Sequence, residues 1–445
     1  MTMIKSNDKY IYIHVYLHKK GLVPVGVITF NEKIGYSSFS YFSNYLEHNL
    51  PPINPATLNW REKNQKHFIL DSKQNNQMLD RTFWELIPQN NDWGHQILLS
   101  KFPEYGSFNH AQKLYFLQKR QVGGLMSYTN EITEEENIQD IDWLDKIRDE
   151  SVRFFLKELS QISFIKAINP LSNYGGVRPK CMFEDENGEF WIAKFNLPND
   201  PYDMAIAETI AMEMARDMGL PCAETKVLTL PSGENVLLSK RFDRKGHERF
   251  HSLSLFALSQ GHKIEKNSQF NGNPGNFIQL LINRYSDFEN MDTVNVIAKM
   301  LLDIGVNNTD NHLRNMRIIL NENYKWQLSP MYDIIFNPYS QNHIYNPACL
   351  PLEQLYLNNP SLIENMAKSF GVSPDIIAKQ VEKTKNILNN WESYCDKYSL
   401  NLEDKLKIGN AISLGLNRKE LNKDLLLQQK NENKMKKFPK FKPNI

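Results

Sequence analysis

Asp310 and Asn315 stand five positions apart in "VNNTDNHLRNMRIIL", Val306 to Leu320. This is a dense polar knot between the apolar runs "VIAKMLLDIGV" and "MRIIL". Asp333 follows in "LSPMYDIIF", behind "MRIILNENYKWQLSP", which reads as a hairpin. A loop, a hairpin and then an acid would bring the second carboxylate back beside the loop. Carboxylate and amide oxygens are the hard donors that magnesium prefers. A further carboxylate, not tied to metal, suits the orientation of an attacking hydroxyl and the uptake of its proton. The residue types therefore fit transfer of a phosphoryl group, with Asp310 as base and Asn315 and Asp333 as metal ligands. His312 reads as a structural residue packed under the loop, and it stays among the nucleotide-binding candidates. Asp and Asn are also common in caps and turns, so the weight rests on what lies upstream.

Upstream, Lys194 in "FWIAKFN" falls on an expected strand, where a lysine can grip the α and β phosphates. Glu208 in "AIAETIAMEM" lies on the helix that follows and can hold that lysine as an ion pair. Before the strand comes "NPLSNYGGVRPKCMF". There Gly175 and Gly176 permit close approach of backbone to phosphate, and Arg178 and Lys180 add charge. "VLLSKRFDR" ends a strand where a link between two lobes would fall. Its backbone around Lys240 and Phe242 is placed for adenine, and Asp243 for the ribose. Protein kinases use this order: glycines, strand lysine, helix glutamate, lobe link, then an Asp, an Asn five residues on, and an Asp beyond a hairpin.

The 445 residues suggest two or three domains, and 41% apolar with 23% charged is an ordinary globular mixture. A net charge of +1 gives no overall field toward nucleic acid or membranes. Cys181, Cys222, Cys349 and Cys395 are scattered without CxxC spacing, which argues against a zinc module or a disulfide framework. The N-terminus lacks a continuous apolar segment of the signal-peptide kind. No window approaches the ~18 apolar residues of a membrane helix. The expectation is a soluble, cytoplasmic protein.

Residues 8–46 alternate as strands, and "DRTFWELIPQNNDWGHQILLSKF" reads as short helices broken at "PQNN". The acidic "NEITEEENIQDID" reads as a linker or solvated face. The next segment, "WLDKIRDESVRFFLKELSQI", carries a helical stripe of Leu144, Ile147, Val152, Phe155 and Leu159. Residues 167–243 read β-β-α-β-β, with hairpin turns at "DENG" and "PSGE". Beyond about residue 250 the chain reads as mostly helical apart from the hairpin behind the knot, and its last residues are lysine-rich. The expected class is α+β: a two-lobed, protein-kinase-like fold. It has a β-rich N-terminal subdomain (1–135), a β-β-α-β-β nucleotide lobe (136–250), a mainly helical catalytic lobe (251–430) and a basic tail (431–445).

"GGVRPK", "WIAKF", "LLSKRFDR", "NNTDNHLRN" and "LSPMYDI" together resemble the HipA-type toxin kinases of bacterial type II toxin–antitoxin systems. "VGVITFNEKIGYSSFSY" and "FWELIPQNNDWGHQILL" are similar to their N-terminal subdomain, so the resemblance runs over roughly 10–430. It implies an ATP- and Mg2+-dependent serine/threonine kinase. Asp310 matches the catalytic aspartate, Asn315 and Asp333 the metal ligands, and Lys194 the phosphate-binding lysine. It also implies an aminoacyl-tRNA synthetase or similar translation component as protein substrate. The implied partner is a small helix-turn-helix antitoxin (HipB-like), with operator DNA reached only through it. Family members autophosphorylate a serine just before the glycine loop; here Ser172 stands one position further away, with Asn173 in that register. Two other readings remain: a kinase-fold binding protein or co-repressor scaffold, and a phosphotransferase acting on a non-protein hydroxyl. The scaffold reading expects loss of Lys194, Asp310 or Asp333, and all three are present.

Overall fold

The computed structural model describes residues 9–31, 36–63, 65–72, 80–90, 92–117, 124–128, 140–160, 176–246, 248–259, 293–339 and 356–417. Ser172, Gly175, Cys349, the acidic run 130–139 and the tail 431–445 lie outside them. Chain contacts divide the protein into two compact units. One comprises 1–212, 221–292 and 312–333; the other comprises 213–220, 293–311 and 334–445.

The first unit opens with β1 (Lys9–Leu17), β2 (Gly21–Asn31), β3 (Tyr36–Tyr41), β4 (His67–Ser72) and β5 (Leu125–Tyr128). They form one antiparallel sheet in the order β4-β3-β2-β1-β5. Alternation decides its faces: Ile11, Ile13, Val15 and Leu17 are buried, while Tyr10 and Tyr12 are exposed. A Cβ on Gly26 would lie 2.2 Å from the Ser40 carbonyl, so the close pass of β3 requires glycine there. The strand reading of 8–46 covers β1 to β3. It missed β4 and β5, which are short and lie far along the chain.

The same unit contains β6 (Lys180–Glu184), β7 (Phe190–Phe195), the helix beginning at Met204, β8 (Thr225–Thr229) and β9 (Asn235–Lys240). The expected β-β-α-β-β order is present, and the sheet runs β6-β7-β9-β8. Asp185 makes the first turn tight: its carboxylate accepts the amides of Asn187 and Glu189. One face packs on Trp93 and Ile97 of the helix Trp93–Lys101, and on Leu144, Ile147 and Val152 of the helix Ile141–Phe155. Asp145 of that second helix accepts both the amide and the hydroxyl of Ser232 in the β8–β9 turn. The helix stops at Phe155, and Lys157 takes a left-handed φ of 64°. Leu159 therefore lies beyond the helix, although the apolar spacing had placed it on the stripe.

A two-residue pair, β10 (Arg244–Lys245) and β11 (Glu248–Arg249), precedes a three-stranded sheet of β12 (Ser252–Ser254), β13 (Arg317–Leu320) and β14 (Trp326–Leu328). The β13–β14 hairpin is the one read from sequence. The third strand, β12, comes from more than 60 residues earlier and gave no local signal.

The second unit is helical: Thr293–Gly305, Pro360–Phe370, Pro374–Asn389, Trp391–Lys397 and Leu402–Leu416. The run from Pro374 breaks at Asn390 into two helices. Two helices touch backbone to backbone: a Cβ on Gly415 would fall 2.2 Å from the Gly305 carbonyl oxygen and 2.3 Å from that of Ile304. Both oxygens belong to backbone, and that of Ile304 also accepts the Asn307 amide, so they yield less readily than a side-chain tip. Gly415→Ala should therefore destabilise by at least ~1–3 kcal/mol, read as a lower urea midpoint at unchanged slope. Gly409→Ala is the matched control. Its Cβ meets only the Trp391 ring, at 2.9 Å, and a side chain can yield, so its midpoint should fall less.

Candidate active site

Strand β7 alternates, placing Ile192 and Lys194 on the face opposite buried Ala193 and Phe195. Lys194 Nζ donates to Glu208 Oε1 at 2.7 Å and to Asp333 Oδ1 at 2.6 Å. Asp333, 139 residues further along the chain, thus joins the Lys194–Glu208 pair at one ammonium. The Glu208 helix, Met204–Asp217, starts where Asn196 Oδ1 accepts the Ala205 amide and Asp203 Oδ1 accepts that of Ile206. The Asp333 segment is fixed beside Cys222: Met331 N–H donates to the Pro221 carbonyl, and Ala223 N–H to that of Met331. Asp333 itself has φ 60°, a left-handed backbone that costs a non-glycine residue roughly 1–2 kcal/mol.

Burial opposes charge on all three groups, and their mutual attraction decides the outcome. Burial pulls the Lys194 ammonium down, but Asp333 and Glu208 raise it to well above the ordinary lysine value. Burial pushes the Asp333 carboxyl up, yet Lys194, then Lys180 and His312, hold it far below the usual carboxylate range. Glu208 is raised, chiefly by burial, with Lys194 opposing. Lys180 is cross-strand partner to Lys194, and burial followed by that like charge pushes it down to about 8. The sign is clear: folding binds fewer protons than the unfolded chain between pH 8 and the ordinary lysine value. Charged, buried Lys180 is a burden below pH 8 that lifts as pH rises.

The other nucleotide candidates have partners that the sequence did not assign. Arg178 forks onto Asp200, with Nη1–Oδ1 at 2.7 Å and Nη2–Oδ2 at 2.5 Å. Asp243 is buried, and both its oxygens accept from Arg241, at 2.8 and 2.6 Å. Burial would raise it, but Arg241 and its neighbours hold it below the usual range. Lys240 Nζ lies 3.3 Å from Glu189. The Phe242 ring sits 5.5 Å from that of Tyr332. Gly176 has φ 93°, and a Cβ there would meet Lys180 Nζ at 2.9 Å, so the missing side chain leaves room for that ammonium. Gly175 and Ser172 lie outside the described residues.

Within the first unit, His312 begins the turn to Asn315: the Asn315 amide donates to the His312 carbonyl at 2.8 Å. His312 is exposed, not packed under the loop as expected, while Asn315 is buried. Tyr332, next to Asp333, donates its hydroxyl to the Arg314 carbonyl at 2.7 Å. That bond ties the Asn315 turn to the Asp333 segment. Ionised Asp333 and the amide of Asn315 are hard oxygen donors suited to magnesium, which keeps several waters and needs few protein ligands. No group of three or more His, Cys, Asp and Glu that would enclose a metal occurs among the described residues.

Asp310 belongs to the second unit and is exposed. The loop before it is held by a network that the sequence reading took for plain apolar flank. Lys299, fully buried, donates to Asp303 Oδ2 at 2.7 Å and to Asn311 Oδ1 at 3.1 Å. Asp303 also accepts from Asn308 at 2.9 Å and Asn311 at 2.6 Å, and Asn308 Oδ1 receives the Asp310 amide at 3.1 Å. Burial raises the Asp303 carboxyl, with Lys299 opposing. Asn337 donates to the Thr309 hydroxyl at 2.6 Å, and Asn307 donates to the Asn337 carbonyl at 2.6 Å. The signal was available: Lys299 and Asp303 are four apart, both within the buried run of a helix. Lys299→Met strands a buried carboxylate and should cost ~3–5 kcal/mol. Adding Asp303→Leu should recover much of that loss in a denaturant titration. Additive losses in the double variant would show that the two charges do not depend on each other.

A family profile, the HipA-like C-terminal domain, matches residues 172–391. Toxin YjjJ of Escherichia coli K12 is 28% identical over 185 residues, which is 38% of this chain and 39% of that protein. The chain thus matches about two fifths of that relative's length. Among solved structures, HipA of Shewanella oneidensis MR-1, determined with HipB and operator DNA, superposes with a TM-score of 0.61. It covers 91% of this chain and 98% of that one, at 13% identity. The Helicobacter pylori proinflammatory kinase CtkA covers 59% of this chain and 94% of its own, at 16% identity and a TM-score of 0.40. The fold is α+β, as the sequence led us to expect, and it is similar to that of the Shewanella HipA; residues 172–391 match the HipA-like C-terminal domain.

Proposed function

We propose that the protein is an ATP- and Mg2+-dependent serine/threonine protein kinase acting as the toxin of a toxin–antitoxin pair. On this reading it phosphorylates a translation component, such as an aminoacyl-tRNA synthetase, and itself. Its antitoxin is a small HipB-like helix-turn-helix protein that carries any contact with operator DNA; the partner chains named for the Shewanella structure support that expectation. The observation that carries the reading is the Lys194 ammonium between Glu208 and Asp333. A strand lysine held by a helix glutamate, with a metal-ligand aspartate in reach, is the arrangement phosphoryl transfer calls for.

Lys194 orients the α and β phosphates, Glu208 holds Lys194, and Lys180 adds charge under the glycine loop. Asn315 and Asp333 would hold magnesium, which neutralises charge on the triphosphate. Asp310 orients the acceptor hydroxyl and takes its proton as the oxygen bonds to the γ-phosphorus and ADP leaves.

Purified protein with γ-labelled ATP and magnesium should label itself or a protein of a bacterial lysate. Asp310→Ala should lower that labelling by about a hundredfold or more. ATP binding without transfer by either form would favour the scaffold or a non-protein acceptor. Nucleotide affinity should also fall as pH rises through about 8, where Lys180 loses its charge. Titration of a fluorescent ATP analogue from pH 6.5 to 9.5 checks this, and Lys180→Met should bind more weakly with that step removed.

A further inference from the structure

Asp92 directly precedes the helix Trp93–Lys101, in the position of its cap, yet its carboxylate makes no capping bond. The side chain is buried and spent elsewhere. Oδ1 accepts the Gly176 amide at 3.2 Å; Oδ2 accepts the Gln89 amide at 2.8 Å and lies 3.5 Å from Arg314 Nη1. The next residue completes the grip: Trp93 N–H donates to the Gly176 carbonyl at 2.9 Å, and its indole Nε1 donates to the Lys180 carbonyl at 3.0 Å. Trp93 is itself fully buried in the core beneath the β6–β9 sheet. Both backbone groups of the loop glycine are therefore held by two consecutive residues far upstream. The acid that holds its amide also faces the arginine adjacent to Asn315.

Resting on the kinase reading, we infer that Asp92 is a positioning residue of the phosphoryl-transfer site. It fixes the Gly176 end of the nucleotide loop and, through Arg314, sets that loop against the turn carrying Asn315. Hydrogen bonding and charge are separable roles of the one carboxylate. An amide in its place keeps an acceptor for Gly176 N–H but gives up the attraction for Arg314.

The test uses full-length protein carrying Asp92→Ala, Asp92→Asn, Arg314→Gln or the Asp92→Asn/Arg314→Gln pair. Asp92→Ala should speed amide exchange at Gly176 and raise the KM for ATP about tenfold. Asp92→Asn should restore both readouts to within about twofold of the parent while kcat stays about tenfold low. Arg314→Gln should lower kcat similarly, and the pair should be no worse than either single change, because one interaction is removed in all three. Parental exchange and KM in Asp92→Ala would overturn the inference. So would equal losses in the Ala and Asn variants accompanied by a lower melting midpoint, since that pattern is general destabilisation. Amide exchange and binding of a fluorescent ATP analogue need no turnover. If the parent protein transfers no phosphate, the kinase reading fails, and those two measurements still decide whether Asp92 holds the loop.

Discussion

A single ammonium shared by two carboxylates is the point on which the first unit converges. Lys194 is held within 2.7 Å of both Glu208 and Asp333; Glu208 is buried, while Lys194 and Asp333 are partly so. Such a cluster is not a cheap source of stability, because desolvation offsets much of the Coulomb attraction. What it gives is position. Removing Lys194 leaves the buried Glu208 carboxylate uncompensated, so the ammonium keeps the three segments in one register. Much of the surrounding structure serves that register: the aromatic core under β7, the Asn196 and Asp203 bonds that start the Glu208 helix, and the bridge at Cys222 that delivers Asp333.

The same logic governs the polar knot, with amides in place of charges. A loop running between two buried segments must satisfy its backbone and side chains without water. Asn307, Asn308 and Asn311 do this by reaching Asn337, Asp303 and the Lys299–Asp303 pair. Their density in the sequence reflects the number of partners to be met. Asp310 and His312 are left exposed.

This division explains what could be read from the sequence. The β-β-α-β-β order, the β13–β14 hairpin and the Lys194–Glu208 pairing come from local periodicity or from residues close together in the chain, so spacing revealed them. β12 was invisible because its partner strand lies more than 60 residues away. Asp92 and Arg241 were invisible for another reason: each acts on a group whose position only the fold defines. Asp243 and Arg178 were chosen for their charge, but a charge does not announce its partner. Arg241 takes both oxygens of the first, and Asp200 receives the fork of the second. Lys299 and Asp303 were legible in principle, because a charged pair four apart in a run of core residues has nowhere else to point.

Charge balance links the cluster to its proposed chemistry. Ionised, Lys180 and Lys194 carry two positive charges, and Glu208 and Asp333 carry two negative ones. The nearby arginines are matched as well, Arg178 by Asp200 and Arg314 by Asp92. The cluster therefore offers little surplus positive charge to a triphosphate, and Asp333 would repel it outright. On the proposed reading, Asp333 and Asn315 would hold a divalent cation, which would supply the missing positive charge. With Asp333 so neutralised, Lys194 would be left to phosphate while Glu208 keeps it in place. On the proposed reading, metal and nucleotide should bind as a unit, because each removes the charge that would oppose the other.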